Sequence, residues 1–282
     1  MANIIKRDGP ASSLAQRLKS NDLQNQSPRP LPIPNASKAR SNVLQIAFAF
    51  DTTGSMYPYY QAGIDAIGRI ATEVKAKNPD SEFCYIPYKN HGDEEDFFNG
   101  VQPFFATDFM SSPEAMQEAL QKIRNGGGGD GLTGLEDVLH FLAQEVHWKP
   151  GATKVNVLIG DMPPHGVIDA ISVCPHEYDY QDEAEKLKVK GVKVYSVFCF
   201  DEKELISRRL QKVQEFFKWI AENNGGKYLE MADIGEIADL LIGICMKETG
   251  HLKDFIRDLK GRGQLSPATE RKLLLLEGKS HG

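Results

Sequence analysis

Three stretches of the chain gather oxygen-bearing side chains where they could act together. Asp51, Thr53 and Ser55 stand at every second position after the apolar run VLQIAFAF. The Gly-rich segment NGGGGDGLTG, residues 125–134, carries Asp130 and Thr133, and Asp161 closes the apolar run KVNVLIG in IGDMPPHG. Few carboxylates and several hydroxyls converging on one point is oxygen chemistry. It suits a hard divalent cation such as Mg2+, with waters completing an octahedron. Ca2+ or Mn2+ would use the same donors.

To converge, these residues must sit at the carboxyl ends of neighbouring strands, where open α/β sheets bind their ligands. From Val43 onward, short β-rich runs alternate with amphipathic helical stretches, the pattern of an α/β fold. Strands are expected near 43–50, 82–88, 101–106, 154–160, 192–199 and 227–230. Helices are expected near 58–77, 113–124, 132–147, 179–190, 203–223 and 233–249, the last running on toward Lys260. The runs 43–50 and 154–160 are apolar at nearly every position, so helices should cover both of their faces. Between 82–88 and 101–106 stands the acidic KNHGDEEDFFNG and no helical pattern, which predicts an antiparallel hairpin at one edge. The expected architecture is a Rossmann-like, doubly wound, mostly parallel six-stranded sheet with one antiparallel edge strand and helices on both faces.

The 282 residues are 41% hydrophobic and 26% charged, enough for one sizeable core with appendages. Residues 1–40, poor in large apolar side chains and ending in QSPRPLPIPNASKAR, read as a disordered tail. Residues 41–250 form the domain and 251–282 a helical extension. LLLL at 273–276 should leave water, either by packing back on the body or by docking on a partner. A net charge of -6 argues against a nucleic-acid platform. No run of about 18 apolar residues predicts a membrane span. Cys84, Cys174, Cys199 and Cys245 lie far apart with no CxxC pair, so they read as reduced and buried. With no secretory leader pattern, the expected location is cytoplasmic.

The strand followed by DTTGSM, then GGGGDG, then IGDMPPHG, resembles the von Willebrand factor A domain and its metal-ion-dependent adhesion site. The similarity covers roughly residues 43–247 and is closest to the intracellular DTTGSM variant, met in bacteria and alongside atypical kinases. The resemblance implies that Asp51 contacts a metal directly or through water, that Thr53 and Ser55 ligate it through their hydroxyls, and that Asp161 is an outer carboxylate. It implies a loop ligand as well, Thr133 by the wider family pattern or Asp130 by the Gly-rich variant, and Asp130 fits this sequence better. The resemblance implies further that the metal keeps a position open for an acidic side chain of a partner protein. The implied role is a non-catalytic, cation-dependent interaction module in signalling or complex assembly.

Other readings of the same residues are weaker. Asp51 to Ser55 could be a helix N-cap cluster alone. Gly126, Gly128 and Gly131 match G-x-G-x-x-G but follow a helical pattern rather than a strand, the wrong context for a dinucleotide. YKNHGDEED places His91 and Asp93 near the rim of the site, although an acidic loop is usually only solvated. Cys174-Pro-His176 has weak spacing for a soft metal, and His165 reads as incidental. A metal-dependent hydrolase or phosphotransferase is the competing function. Nothing supplies a nucleophile with its base, and Thr53 stands where aspartate-based phosphatases carry Asp.

Overall fold

The computed structural model describes residues 43–94, 102–110, 112, 118, 121, 124, 126–129, 131–200 and 208–278. The expected N-terminal tail and most of the helix expected at 113–124 lie outside these residues. Among the described residues the strands are β1 (Leu44–Asp51), β2 (Glu82–Tyr88), β3 (Thr153–Gly160), β4 (Val192–Cys199) and β5 (Gly225–Met231). The helices are α1 (Tyr57–Lys77), α2 (Leu135–Gln144), α3 (Tyr180–Val189), α4 (Arg208–Asn223), α5 (Ile237–Thr249), α6 (Leu252–Gly261) and α7 (Pro267–Leu276).

The sheet order is β2-β1-β3-β4-β5, and every pairing is parallel. The expected six-stranded sheet with an antiparallel edge is therefore corrected to five parallel strands. Residues 102–110 do run beside β2, but only as isolated antiparallel bridges, Phe83 to Met110 and Tyr88 to Phe104. A continuous ladder fails for a local reason. Pro87, opposite Phe105, and Pro103, opposite Lys89, have no N–H to give, so each of those pairs keeps only one of its two hydrogen bonds, and the Tyr85 N–H goes to the Thr107 hydroxyl at 3.0 Å instead of a carbonyl.

All eight residues of β1 are buried, because helices cover the sheet on both sides. One face of the sheet packs on α1 and α5 with α6 and α7 behind them, and the other on α2, α3 and α4. Burying each large apolar side chain contributes about 1.5–3 kcal/mol, which makes β1 and β3 the stiff base of whatever follows them. The helix expected to continue to Lys260 stops at Gly250, where φ is 80° in the left-handed region and α6 then starts afresh. In α7 Leu273 and Leu276 are buried in the core, so the leucine run packs back on the body and leaves Leu275 exposed. No described helix is long and apolar enough to cross a membrane.

Candidate functional site

β1 and β3 are neighbours in register, Phe50 beside Ile159, so the residues that end them meet. Asp51 is the last residue of β1 and fully buried, and a β-carbon placed on Gly160 would stand 3.0 Å from Asp51 Cβ. Only a glycine lets the two strand ends approach this closely. Asp161 follows in the next position, half-buried, and its charge reaches Asp51.

Asp51 Oδ1 accepts hydrogen bonds from the Thr53 N–H at 2.8 Å and the Thr53 hydroxyl at 2.7 Å. Asp51 Oδ2 is buried with no hydrogen-bond partner among the described residues. Burial and the neighbouring Asp161 push the Asp51 carboxyl up to about 8, against the Thr53 hydrogen bonds that pull it down. A buried carboxylate oxygen facing a second carboxylate is an arrangement that a cation would stabilise. Oxygen donors from Asp51, Thr53 and Asp161 suit a hard divalent ion, so these residues fit the metal that the sequence implies. Ser55 is exposed on the single 3-10 turn Gly54–Met56 that follows.

The Gly-rich loop is fastened over this turn. Gly54 N–H donates to the Gly127 carbonyl and Gly126 N–H to the Thr52 carbonyl, both at 3.3 Å. Buried Lys89, just past β2, donates its ammonium to the Thr52 and Gly126 carbonyls, at 2.6 Å each. Burial pulls its pKa down to about 8. Asp93 accepts from the Gly128 N–H at 2.9 Å, so the acidic loop braces the glycines, as its position near the rim suggested. Asp130 lies outside the described residues. Thr133 is fully buried, and both its N–H and its hydroxyl donate to the Pro163 carbonyl, at 3.1 and 3.3 Å. That contact ties the start of α2 to the loop after β3.

A second group of side chains, not assembled by the sequence reading, stands around the first turn of α2. His91, Glu136, Asp137 and Cys174 place one potential ligand atom each within 4.8 Å of one another. His165 and His176 border it, pairing with Glu136 and Asp137 at 2.5 Å. Glu136 and Asp137 escaped notice because acids in a first helical turn ordinarily just favour the helix dipole in water. Here they are only 1% and 3% exposed. The Cys174-x-His176 pair was the one local signal.

The model of the von Willebrand factor type A domain matches residues 45–241. The chain belongs to that family. Domains of this family are interaction modules of a generally non-catalytic kind. A curated relative, the alpha-protein kinase vwkA of Dictyostelium discoideum, is 32% identical over 130 residues. The match takes in 45% of this chain and 19% of that protein, so the chain spans about a fifth of its length. Among solved structures, the pilus adhesin SpaC of Lactobacillus rhamnosus GG matches with a TM-score of 0.56 at 15% identity. That match covers 73% of this chain and 30% of the adhesin. A von Willebrand factor type A protein from Catenulispora acidiphila matches with a TM-score of 0.50 at 14% identity, over 73% of this chain and 43% of that one. At these identities the likeness speaks for the fold. Since a pilus adhesin carries the same fold, the expectation of a cytoplasmic protein is set aside as a correction.

Proposed function

We propose that the chain binds another protein through a divalent cation, Mg2+ in the first instance, held at the carboxyl ends of β1 and β3. Asp51, Thr53 and Ser55 would hold it, with Asp130 or Thr133 from the Gly-rich loop and Asp161 as an outer carboxylate. The observation that carries the reading is Asp51 Oδ2, buried and without a hydrogen-bond partner among the described residues while it faces the charge of Asp161. Of the two loop residues Asp130 is favoured by the Gly-rich pattern GGGGDG in which it stands. A cation with few anionic ligands supplies an electrophilic open position, and the complementary group on a partner is a carboxylate. The chain's own contribution is rigidity. The turn at 52–56 is held by Lys89 and by the glycine loop, so little order has to be gained on binding. The role this supports is complex assembly through an acidic side chain of the partner.

Calorimetric titration of Mg2+ into chelator-treated protein tests the site. Wild type should bind Mg2+ and Asp51→Ala should not, and a Glu-containing peptide should bind wild type only when Mg2+ is present. Wild type that binds neither Mg2+ nor Mn2+ nor Ca2+ would defeat the reading.

A further inference from the structure

The side chains around the first turn of α2 converge from three separate places in the chain. His91 follows β2, Glu136 and Asp137 open α2, and Cys174 lies in the segment 161–179 between β3 and α3. His91 Nε2 is 2.9 Å from Asp137 Oδ2 and 3.6 Å from Cys174 Sγ, and Cys174 Sγ is 3.3 Å from Asp137 Oδ2. With zinc–nitrogen and zinc–oxygen bonds of about 2.0–2.1 Å and zinc–sulfur of about 2.3 Å, ligand atoms at tetrahedral angles stand roughly 3.3–3.6 Å apart. Three of the four donors are thus already nearly at those separations, and only His91 and Asp137 need to open slightly. Glu136 supplies the fourth. It is 1% exposed, and its Oε2 has no hydrogen-bond partner among the described residues.

The groups behind the donors are arranged as metal ligands require. His91 Nδ1 stands 3.3 Å from Glu94, which favours a proton on that nitrogen and leaves the Nε2 lone pair facing the cluster. The second oxygen of Asp137 is held by His176, and Glu136 Oε1 by His165. Cys174 Sγ accepts backbone N–H groups from His176, at 3.4 Å, and from Tyr178, contacts that would steady a thiolate once a cation replaces the S–H hydrogen.

A catalytic cysteine is the rival use of the same residues, and the geometry opposes it. Glu94 on Nδ1 would suit a Cys-His-acid relay, but such a relay needs Nε2 free for the cysteine, whereas Asp137 meets the same Nε2 at 2.9 Å and itself takes the Cys174 S–H at 3.3 Å.

We infer that His91 Nε2, Asp137, Cys174 Sγ and Glu136 form a four-coordinate Zn2+ site that clamps the segment 161–179 onto the start of α2. One thiolate, one imidazole and two carboxylates suit zinc better than Mg2+ or Ca2+, which take oxygen ligands only. Four protein ligands leave no position for water, so the site is structural. Its consequence reaches Asp161 and Pro163, because both belong to the segment that it fastens. A connection this long without regular structure of its own needs such an anchor.

The test is the metal content of the full-length chain purified without chelator. About one zinc per chain is expected in wild type and in Asp51→Ala, and its loss in Cys174→Ser and in His91→Ala. Because those variants could also fold poorly, wild type is stripped and reloaded with Co2+. A thiolate-to-cobalt charge-transfer band with tetrahedral visible bands is expected, together with a fall in Tm on stripping that Zn2+ restores. Stripped wild type that shows no such band, or Cys174→Ser that keeps a full complement of zinc, would overturn the inference.

Discussion

Gly128 lies directly against the side chain of Thr53: a β-carbon on Gly128 would stand 2.6 Å from Thr53 Cγ2, and φ at Gly128 is +80°. Space and backbone conformation both exclude a side chain there. Gly128→Ala must push the glycine loop away from the turn that presents Thr53 and Ser55. It should cost about 1–3 kcal/mol of stability and weaken Mg2+ binding roughly tenfold or more. Gly129, where an added β-carbon meets nothing within 4 Å, is the control. Denaturant unfolding and calorimetry on both variants check this, and equal losses at 128 and 129 would refute it.

The buried Asp51 carboxyl makes the metal-free fold sensitive to pH in a predictable sense. Burial and Asp161 raise its pKa from 3.8 to about 8. Below about pH 4 the folded and unfolded chains both hold the proton and no penalty applies. Between about pH 4 and 8 the unfolded chain gives up a proton that the fold retains, so metal-free stability declines through that window as pH rises. Binding of Mg2+ near neutral pH should release that proton, seen as a dependence of the calorimetric heat on the buffer's ionisation enthalpy. Asp51→Asn should abolish Mg2+ binding and flatten the decline. At pH 8 without metal it should be about 1–3 kcal/mol more stable than wild type, since a buried charge is gone.

Lys89 links the two halves of the same site. Its ammonium satisfies the carbonyls of Thr52 and Gly126, and no other described side chain bonds to both. Lys89→Met keeps the apolar stem and removes the donor. Relief of a buried charge works in favour of the variant, but two hydrogen bonds from a charged group are lost, each of about 1.5–3 kcal/mol. The bonds should win, with a net loss of about 1–3 kcal/mol in urea unfolding. A faster exchange of the Gly126 and Gly54 amides should accompany it, and unchanged exchange would show that Lys89 does not hold the loop.

How far this could be read from the sequence depended on the distance between cooperating residues. LQIAFAFD is apolar enough to announce a strand covered on both faces, and Asp51, Thr53 and Ser55 follow it within five positions. Asp161 ends an equally plain strand, so those two ends of the sheet were legible. The edge was not, because a run such as VQPFFA has strand composition whether or not prolines interrupt its ladder. The α2 cluster was illegible for a different reason. His91, Asp137 and Cys174 are separated by 46 and 37 residues, and nothing local marks them as neighbours. Only the burial of Glu136 and Asp137 distinguishes them from solvated helix acids.

The C-terminal helix provides a test of how tightly the region after Gly250 belongs to the rest. In α5 a β-carbon on Gly243 would stand 2.2 Å from Leu273 Cδ2 of α7, and Leu273 is fully buried. α7 is further held by the Thr269 hydroxyl on Glu236 at 3.0 Å and by an ion pair from Lys272 to the same carboxylate. Leu273→Ala should cost about 2–4 kcal/mol through lost burial and the cavity left behind. Gly243→Ala gains about 1 kcal/mol of helix propensity, yet Leu273 must move, and the packing loss should outweigh that gain. The two changes answer each other, because Ala at 273 leaves room for the methyl at 243. The double variant should therefore be more stable than the sum of the single losses by about 0.5–3 kcal/mol. Strict additivity in the thermal unfolding of all four proteins would mean that α7 does not rest on Gly243.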